Sequence, residues 1–290
     1  MKKILLVFAA VAAVAMVSCK KDPEKGGEKD ITGGVDVAKE NLVAYLSFDD
    51  EKVQKGTDIT FGGKKGQAVL KKGIRGKAYC NDGASTDKEA YLTYNLGANN
   101  PFKSLKSFTM TCWVKCPAPV NEKPGTGAFF ALNGGDGTMG DLMMFREGWG
   151  GDALAMKVYL YNAPTVWKGQ DLALQNEAFP IDVWFLFGYS YDAATSSIIL
   201  WSNGVKIGDS IRYAAEKPEL GDQPLLGELQ LGQDMTKLYI GAWVKQVETT
   251  SADGWMGYYP GMVDELRVYN KALTEEEMLA LYQAEVKVID

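Results

Sequence analysis

Three tryptophans lie in segments predicted to be loops, and they are the residues best suited to binding chemistry. Trp149, Trp167 and Trp255 each stand close to Gly, Pro or Asp residues, and Tyr258 follows closely behind the last of them. An exposed aromatic ring can stack on the C–H face of a sugar, and a planar cation such as Arg146 can donate hydrogen bonds to its hydroxyl groups. The alternative is that each ring packs beneath its own loop. Because the three rings occupy separate segments, we expect at least one to be a binding platform.

Catalysis has few candidates, because the chain contains no histidine. Ser-His-Asp and Cys-His arrangements, and zinc bound by imidazole, all need a histidine as base or ligand. Any reaction would therefore depend on carboxylates, tyrosine, lysine or a hard metal ion. Asp264 and Glu265 are adjacent, so in a strand their side chains point to opposite faces and cannot act as a pair by themselves.

The segment that holds these two acids is predicted to be the last strand. Regular alternation places its residues on two faces, one with Met262, Asp264, Leu266, Val268 and Asn270, the other with Val263, Glu265, Arg267 and Tyr269. Thr274 and Glu277 then form a capping-box pattern, which predicts that a helix starts there. We expect two to three turns that pack Met278, Leu281 and Tyr282 against the domain.

Short apolar segments separated by Gly-rich turns fill the chain before this strand. In residues 107–115, alternation predicts a core-facing side made of Phe108, Met110, Cys112 and Val114. Asn203-Gly204 stands between two apolar segments and suits a type I′ hairpin turn, which needs two successive positive φ angles. This pattern favours a β-sandwich, and the ~250 residues after residue 40 suit one domain.

The N-terminus is predicted to be an export signal that ends in a lipid anchor. Two lysines precede an apolar run from Ile4 to Val17, which is too short for a typical membrane span. Ser18-Cys19 at its end resembles a bacterial lipobox, and the charged residues that follow resemble the surface-export signal of Bacteroidota-like lipoproteins. We therefore expect a lipoprotein signal peptide at residues 1–18, with lipidated Cys19 opening a flexible tether over residues 19–40. A membrane helix and a simple secreted protein are the alternatives.

Net charge limits the possible binding partners, and cysteine spacing limits the possible disulfide bonds. The chain has a formal net charge of −6 and 46% hydrophobic residues. Because nucleic-acid binding needs a long basic stripe, which is lacking beyond two Lys-Lys pairs, we expect no nucleic-acid partner. Cys112 and Cys116 would lie about 13 Å apart in one strand, too far for a disulfide bond. Whether Cys80 pairs with one of them, or all three stay free thiols, is left open.

Three blocks of sequence carry a family resemblance. Residues 262–274 read M-V-D-E-L-R-V-Y-N-K-A-L-T, residues 107–114 read S-F-T-M-T-C-W-V, and residues 200–204 read L-W-S-N-G. In their order along the chain they resemble the laminin-G-like (LamG, pentraxin-type) branch of the concanavalin A-like lectin/glucanase superfamily. The resemblance covers residues 41–283 and implies an all-β fold for a domain at residues 41–290. That fold is a two-sheet antiparallel jelly-roll sandwich with a short C-terminal helix.

The resemblance also implies a structural calcium ion and bears on whether the domain could hydrolyse glycosidic bonds. Members of this branch often hold a structural calcium ion where the first and last strands meet, and Asp264 with Asp49 and Asp50 matches that position. The alternative is that Asp264 accepts hydrogen bonds from a neighbouring turn and that the other two acids are solvated. The glucanase members carry an E-x-D-x-E motif on one strand, which this sequence lacks, so we expect no hydrolase.

The functional expectation is a non-catalytic, carbohydrate-binding lipoprotein. We expect it to be anchored in the outer membrane, exposed on the cell surface, and to bind a polysaccharide or glycoconjugate through Trp149, Trp167 or Trp255, with Tyr258 and Arg146 alongside. A glycoside hydrolase and a protein-interaction or adhesion module are the alternatives, because this fold hosts all three.

Overall fold

Strands are the predominant regular element of the fold. The computed structural model describes residues 33–118, 126–135, 137, 139–150, 153–162, 167–168, 174–214 and 224–289. All of them belong to one unit, Ile31–Asp290. The side chains of Trp149 and Trp167, and the whole of Cys19, lie outside the described residues.

The described elements are mainly β-strands. In chain order they are β1 (Leu42–Leu46), β2 (Ile59–Gly66), β3 (Ala68–Lys72), β4 (Lys77–Asn81), β5 (Ala90–Leu96), β6 (Phe108–Lys115), β7 (Thr126–Leu132), β8 (Leu142–Gly150), β9 (Ala153–Asn162), β10 (Trp167–Lys168), β11 (Leu174–Pro180), β12 (Phe185–Asp192), β13 (Ser197–Ser202), β14 (Val205–Ile211), β15 (Lys237–Ile240), α1 (Val244–Glu248), β16 (Met256–Tyr258), β17 (Met262–Tyr269) and α2 (Glu275–Val286). Short 3-10 helices at Lys39–Asn41 and Pro101–Ser104 complete them.

The strands form two sheets. Within the described chain, sheet I has the order β14-β13-β12-β6-β17-β4-β3, with β1 also paired to β17. Sheet II has the order β10-β9-β8-β7-β15-β5-β2, with β11 paired to β9 and β16 paired to β7. Pairing is antiparallel except between β16 and β7. The predicted two-sheet antiparallel sandwich with a short C-terminal helix is confirmed.

The core lies between the two sheets. In β6, the predicted inward side is confirmed, because Phe108, Met110, Cys112 and Val114 are all buried in the main hydrophobic cluster. The predicted hairpin turn is also present: Asn203 and Gly204 have φ angles of 51° and 78° and connect the paired strands β13 and β14. Local patterns therefore predicted these elements correctly, since each depends on a few neighbouring residues.

The last strand departs from regular alternation. Between Asp264 and Arg267 its register with β6 shifts by one residue, and Glu265 has a φ of 51°. This β-bulge turns Leu266 and Val268 to the same core side as Val263. The predicted two faces of this strand were wrong beyond the bulge, because one extra residue reverses which side every later residue points to.

The C-terminal helix α2 covers the outside of sheet I. Its capping box is formed as predicted: the Thr274 hydroxyl accepts from the Glu277 amide at 3.2 Å, and the Glu277 carboxylate accepts from the Thr274 amide at 3.0 Å. Met278 and Leu281 are fully buried in a second cluster with Trp201. Burial of each such side chain stabilises by roughly 1.5–3 kcal/mol. The helix is therefore an integral layer of the domain.

The same cluster also includes residues that precede β1. Val35 is 1% exposed and packs there, while the Arg75 guanidinium donates to the Gly33 carbonyl. The packed domain thus extends before the predicted boundary at residue 41. Among the described residues, Cys80, Cys112 and Cys116 are free thiols, and no helix is long and apolar enough to cross a membrane.

Candidate functional site

The outer side of sheet II is covered with aromatic side chains. In β8 and β9, inward Met144, Val158 and Leu160 alternate with outward Phe145 and Tyr159. The period of two that buries one side of a strand turns the other side outward. We define the aromatic face as the rings gathered on this side: Tyr91, Phe145, Tyr159, Tyr161, Tyr239, Trp243, Trp255 and Tyr258. Six of these rings are buried, whereas Trp255 is exposed and Tyr258 is half-buried.

At one end of the aromatic face, the rings meet edge to face. Trp243 is fully buried and lies 4.9 Å from Phe145 between ring centroids. Trp255 stands on it at 5.0 Å with an interplanar angle of 87°, and is 45% exposed. T-shaped aromatic pairs at this distance are attractive beyond their burial. A buried tryptophan thus holds an exposed one in a fixed orientation.

At the other end, three tyrosines are in contact. Tyr91 and the half-buried Tyr258 are parallel within 3°, with centroids 6.2 Å apart. Tyr239 contacts Tyr91 edge to face at 6.1 Å. Burial and the Glu248 carboxylate raise the pKa of Tyr239, so its hydroxyl stays protonated and donates to Glu248 at 2.9 Å. The Tyr239 side chain is therefore held by Tyr91 at its ring and by Glu248 at its hydroxyl group.

Helix α1 supports this arrangement. Its last residue, Glu248, also accepts from the Asn133 amide at 2.8 Å, which ties the helix to the end of β7. Lys245 pairs with Asp253 at 2.8 Å, which fixes the segment that leads to Trp255. These contacts place the exposed indole on a rigid support instead of a free loop.

The structure brings two of the predicted ligand-binding residues together. Trp255 and Tyr258 both lie on the aromatic face, Trp255 just before β16 and Tyr258 at its end. Trp149 and Trp167 belong to β8 and β10 of the same sheet instead of loops. Arg146 is fully buried on the side of β8 that faces the core, so its guanidinium does not lie where a surface ligand would contact it.

Two of the three predicted metal ligands, Asp264 and Asp49, accept hydrogen bonds from the segment that runs from β3 into the start of β4. The Asp264 carboxylate accepts from the Ile74 and Arg75 amides at 3.0 and 3.1 Å, and Asp49 accepts from the Lys77 amide at 2.9 Å. Asp50 accepts from the Lys52 amide and pairs with its ammonium group at 3.2 Å. Asp264 thus behaves as in the alternative interpretation, as an acceptor for the turn between β3 and β4.

These oxygens do not fit a calcium site as they stand. Calcium needs six to eight oxygen ligands and would repel the N–H donors that now approach the carboxylates. Among the described residues, no three acidic or cysteine side chains are grouped closely enough to hold a metal ion. Calcium stays a prediction from the resemblance.

Two carboxyl groups within the described chain have a raised pKa. Burial raises the pKa of Asp264 to about 9 and that of Glu285 to about 7. Both belong to the sheet I side of the domain, in β17 and α2, and both accept hydrogen bonds from neighbouring groups. Neither is on the aromatic face.

Sequence reasoning missed most of the aromatic face. It did not single out Tyr91, Tyr239, Trp243 or Phe145, which come from strands far apart in the chain. One local signal was available: in β9, Tyr159 and Tyr161 alternate with Val158 and Leu160, so the side opposite the core is aromatic instead of polar. A solvated strand face would carry charged or small polar residues there.

Comparison with known proteins identifies the family. A family model described as the concanavalin A-like lectin/glucanases superfamily, of the laminin G type, matches residues 87–278. No curated protein matches the chain by sequence.

Several solved structures share the fold. The receptor-binding domain of botulinum neurotoxin type G is 9% identical, with a TM-score of 0.54 over 84% of this chain and 51% of that one. The binding domain of botulinum neurotoxin DC, solved in complex with rat synaptotagmin II, is 10% identical, with a TM-score of 0.53 over 86% and 52%. The binding domain of Paraclostridial mosquitocidal protein 1 is 12% identical, with a TM-score of 0.58 over 86% and 53%. The chain spans about half the length of each, and the likeness is one of fold. With the family match over more than half of its length, the chain belongs to the concanavalin A-like lectin/glucanases superfamily.

Proposed function

We propose that this domain binds a polysaccharide or glycoconjugate through the aromatic face, without cleaving it. The observation that carries the proposal is the Trp255 indole, which is 45% exposed and is held upright by the buried Trp243. A preorganised ring loses little conformational freedom when a sugar stacks on it. The structural relatives are themselves named as binding domains, which is consistent with a binding role on this fold.

Replacement of Trp255 tests this proposal. We expect Trp255→Ala to lower the affinity for a bound polysaccharide by about tenfold or more, which corresponds to about 1.4 kcal/mol, because the exposed ring is the contact surface. Trp255→Phe keeps a ring and should retain most of the affinity. The measurement is a screen of immobilised polysaccharides with the purified protein, followed by calorimetry on each hit.

The controls separate this site from its alternatives. Leu225→Ala removes a side chain of similar exposure, 47%, that is paired with Tyr213 just after β14 of sheet I, and should change nothing. Each assay is run with calcium and with excess chelator, so that a change in affinity or melting temperature between the two would reveal the predicted metal. Equal affinity of wild type and Trp255→Ala would contradict the proposal, and saturable binding to a protein instead of any glycan would favour the adhesion alternative.

We also propose that the protein is a lipoprotein of the outer membrane, anchored at Cys19 and exposed on the cell surface. This rests on the signal-like N-terminus and the lipobox-like Ser18-Cys19. Cells fed an alkyne-labelled fatty acid should label the wild-type protein, and Cys19→Ala should abolish the label. Labelling that persists in the variant would contradict the anchor.

A further inference from the structure

One edge of the sandwich carries a concentrated positive charge. Residues 52–77 hold eight basic side chains and only one acidic one, Asp58. The basic residues are Lys52, Lys55, Lys64, Lys65, Lys71, Lys72, Arg75 and Lys77. The chain as a whole has 31 basic and 37 acidic residues, so this segment carries a net charge of +7 and the remainder −13. Acids outside the segment pair with Lys52, Lys64, Lys71 and Arg75, so the local positive potential comes from the remaining lysines.

The fold places the middle of this segment where the edges of the two sheets meet. β2 is the terminal strand of sheet II and β3 the terminal strand of sheet I. Only Gln67 separates them in sequence, so the chain passes from one sheet to the other at this corner. Lys64, Lys65, Lys71 and Lys72 are all exposed. We call the exposed lysines of β2, β3 and β4 the basic edge.

Several of these lysines have no acidic partner. Lys64 pairs with Glu51 at 2.9 Å and Lys71 pairs with Asp82. For Lys65, Lys72 and Lys77 no ion pair is present within the described part of the chain. Lys72 and Lys77 are moreover directly opposite each other across the β3–β4 ladder. Like charges in this position destabilise a sheet, so the domain maintains positive charge here at a cost.

The basic edge adjoins the aromatic face. In the β2–β5 ladder, Lys65 is directly opposite Tyr91, and directly opposed residues of an antiparallel pair project to the same side of the sheet. Lys65 therefore flanks the stacked pair of Tyr91 and Tyr258. Glu89 also lies nearby, since together with burial its carboxylate raises the pKa of both tyrosines. Lys65 thus brings the basic edge next to the half-buried Tyr258 at one end of the aromatic face.

We propose that the ligand is an acidic polysaccharide, whose sugar rings stack on Trp255 and Tyr258, the accessible rings of the aromatic face, while its carboxylate or sulfate groups lie along the basic edge. This rests on the proposed function and specifies the substrate class. An extended polysaccharide suits the basic edge, because Lys65 and Lys72 are seven residues apart and therefore up to about 23 Å from each other along extended chain. Lysines bind such groups as point charges, so the affinity falls as salt rises.

Matched pairs of polysaccharides test the charge requirement. The probes are polygalacturonate against its methyl ester, and dextran sulfate against dextran, so that the two members of each pair differ only in charge. We expect binding to the acidic member of at least one pair to be tenfold or more tighter at low salt, and to weaken between 50 and 300 mM NaCl. Whichever pair responds distinguishes carboxylate from sulfate recognition.

Charge variants locate the contact. Lys65→Gln combined with Lys72→Gln and Lys77→Gln should lower the affinity for the acidic probe about tenfold and leave that for the neutral one within twofold. These side chains are exposed, so the variant should fold, and circular dichroism checks that. Glu89→Gln should raise the affinity for the acidic probe about twofold. Lys106→Gln removes an exposed lysine that lies before β6, separated from β3 in the sheet by β17 and β4, and should change nothing.

The outcomes distinguish this inference from the proposed function. If acidic and neutral probes bind equally well, or if the triple variant keeps its affinity for the acidic probe, the proposed role of the basic edge is overturned. The proposed glycan binding would then still stand. If no polysaccharide binds at all, both proposals fail. Inorganic polyphosphate, single-stranded DNA and phosphatidylglycerol vesicles are included as other polyanions, and tighter binding to any of these than to the acidic polysaccharides would overturn the polysaccharide assignment.

Discussion

Replacement of Arg267 with methionine should destabilise the protein by about 3–5 kcal/mol at pH 8. The Arg267 guanidinium is completely buried and donates to Glu265 and Glu285, both at 2.8 Å. It also lies 4.3 Å from the centroid of the Tyr45 ring. Methionine fills much of the volume but leaves the buried Glu285 carboxylate without its cation, and leaves Glu265 only the more distant Arg75 at 3.8 Å. Removing one partner of a buried ion pair costs far more than the net contribution of the pair.

Urea unfolding followed by tryptophan fluorescence measures this loss. Methionine at Lys206, whose ion pair with Asp209 is at the surface, is the matched control and should cost less than about 1 kcal/mol. The double variant Arg267→Met with Glu285→Gln should recover part of the loss, because one of the unpaired charges is removed with its partner. A loss of under about 1 kcal/mol in the single variant would mean that the buried cluster does not hold the domain together.

Stability should fall by about 2–3 kcal/mol between pH 5 and pH 8 because of Glu285. Burial raises the pKa of Glu285 from 4.5 to about 7, although Arg267 opposes the shift. Burial and the neighbouring Glu265 together outweigh the nearby arginines, so the folded state retains on Glu285 a proton that the unfolded chain has already lost. The folded protein binds more protons across this window. The stabilisation is therefore complete below pH 4.5 and is lost as the pH rises through 7.

The difference between wild type and Glu285→Gln isolates this effect. Glutamine resembles the protonated acid and does not titrate, so the variant should lose about 2–3 kcal/mol less between the two pH values. Asp264, whose pKa burial raises to about 9, changes stability in the same direction and remains in both proteins. Parallel stability curves for the two proteins would contradict the assignment to Glu285.

Both expectations concern how α2 is attached. Glu285, in the last turn of the helix, accepts from Arg267 of the last strand and from the Trp113 indole of β6. Tyr282 packs against the same indole, with ring centroids 5.9 Å apart. Apolar burial alone would allow the helix to slide, whereas these directional contacts fix its register on sheet I. The helix thus completes the sandwich on the side opposite the aromatic face.

The sequence predicted part of the candidate site. Trp255 and Tyr258 were recognisable because large rings in a polar, Gly-containing segment are unusual. Tyr91 and Tyr239 were not, because each is an ordinary strand residue until the sheet brings them within 6.1 Å. The position of Lys65 was likewise not predictable. The Lys64-Lys65 pair is evident in the sequence, but the place of Lys65 beside Tyr91 depends on the β2–β5 register.

By itself, the sequence determined the features that depend on a few neighbouring residues. The Asn203-Gly204 turn, the Thr274 capping box and the inward face of β6 follow from local backbone preferences and side-chain periodicity, and they hold in the structure. The family blocks added the fold. Only the tertiary structure decided three features. The bulge at Glu265 reverses which side the later residues of the last strand face, Arg267 pairs with Glu285 of α2, and the rings of the aromatic face come together outside sheet II. Those depend on antiparallel pairing between segments distant in the chain, and no local pattern encodes that register.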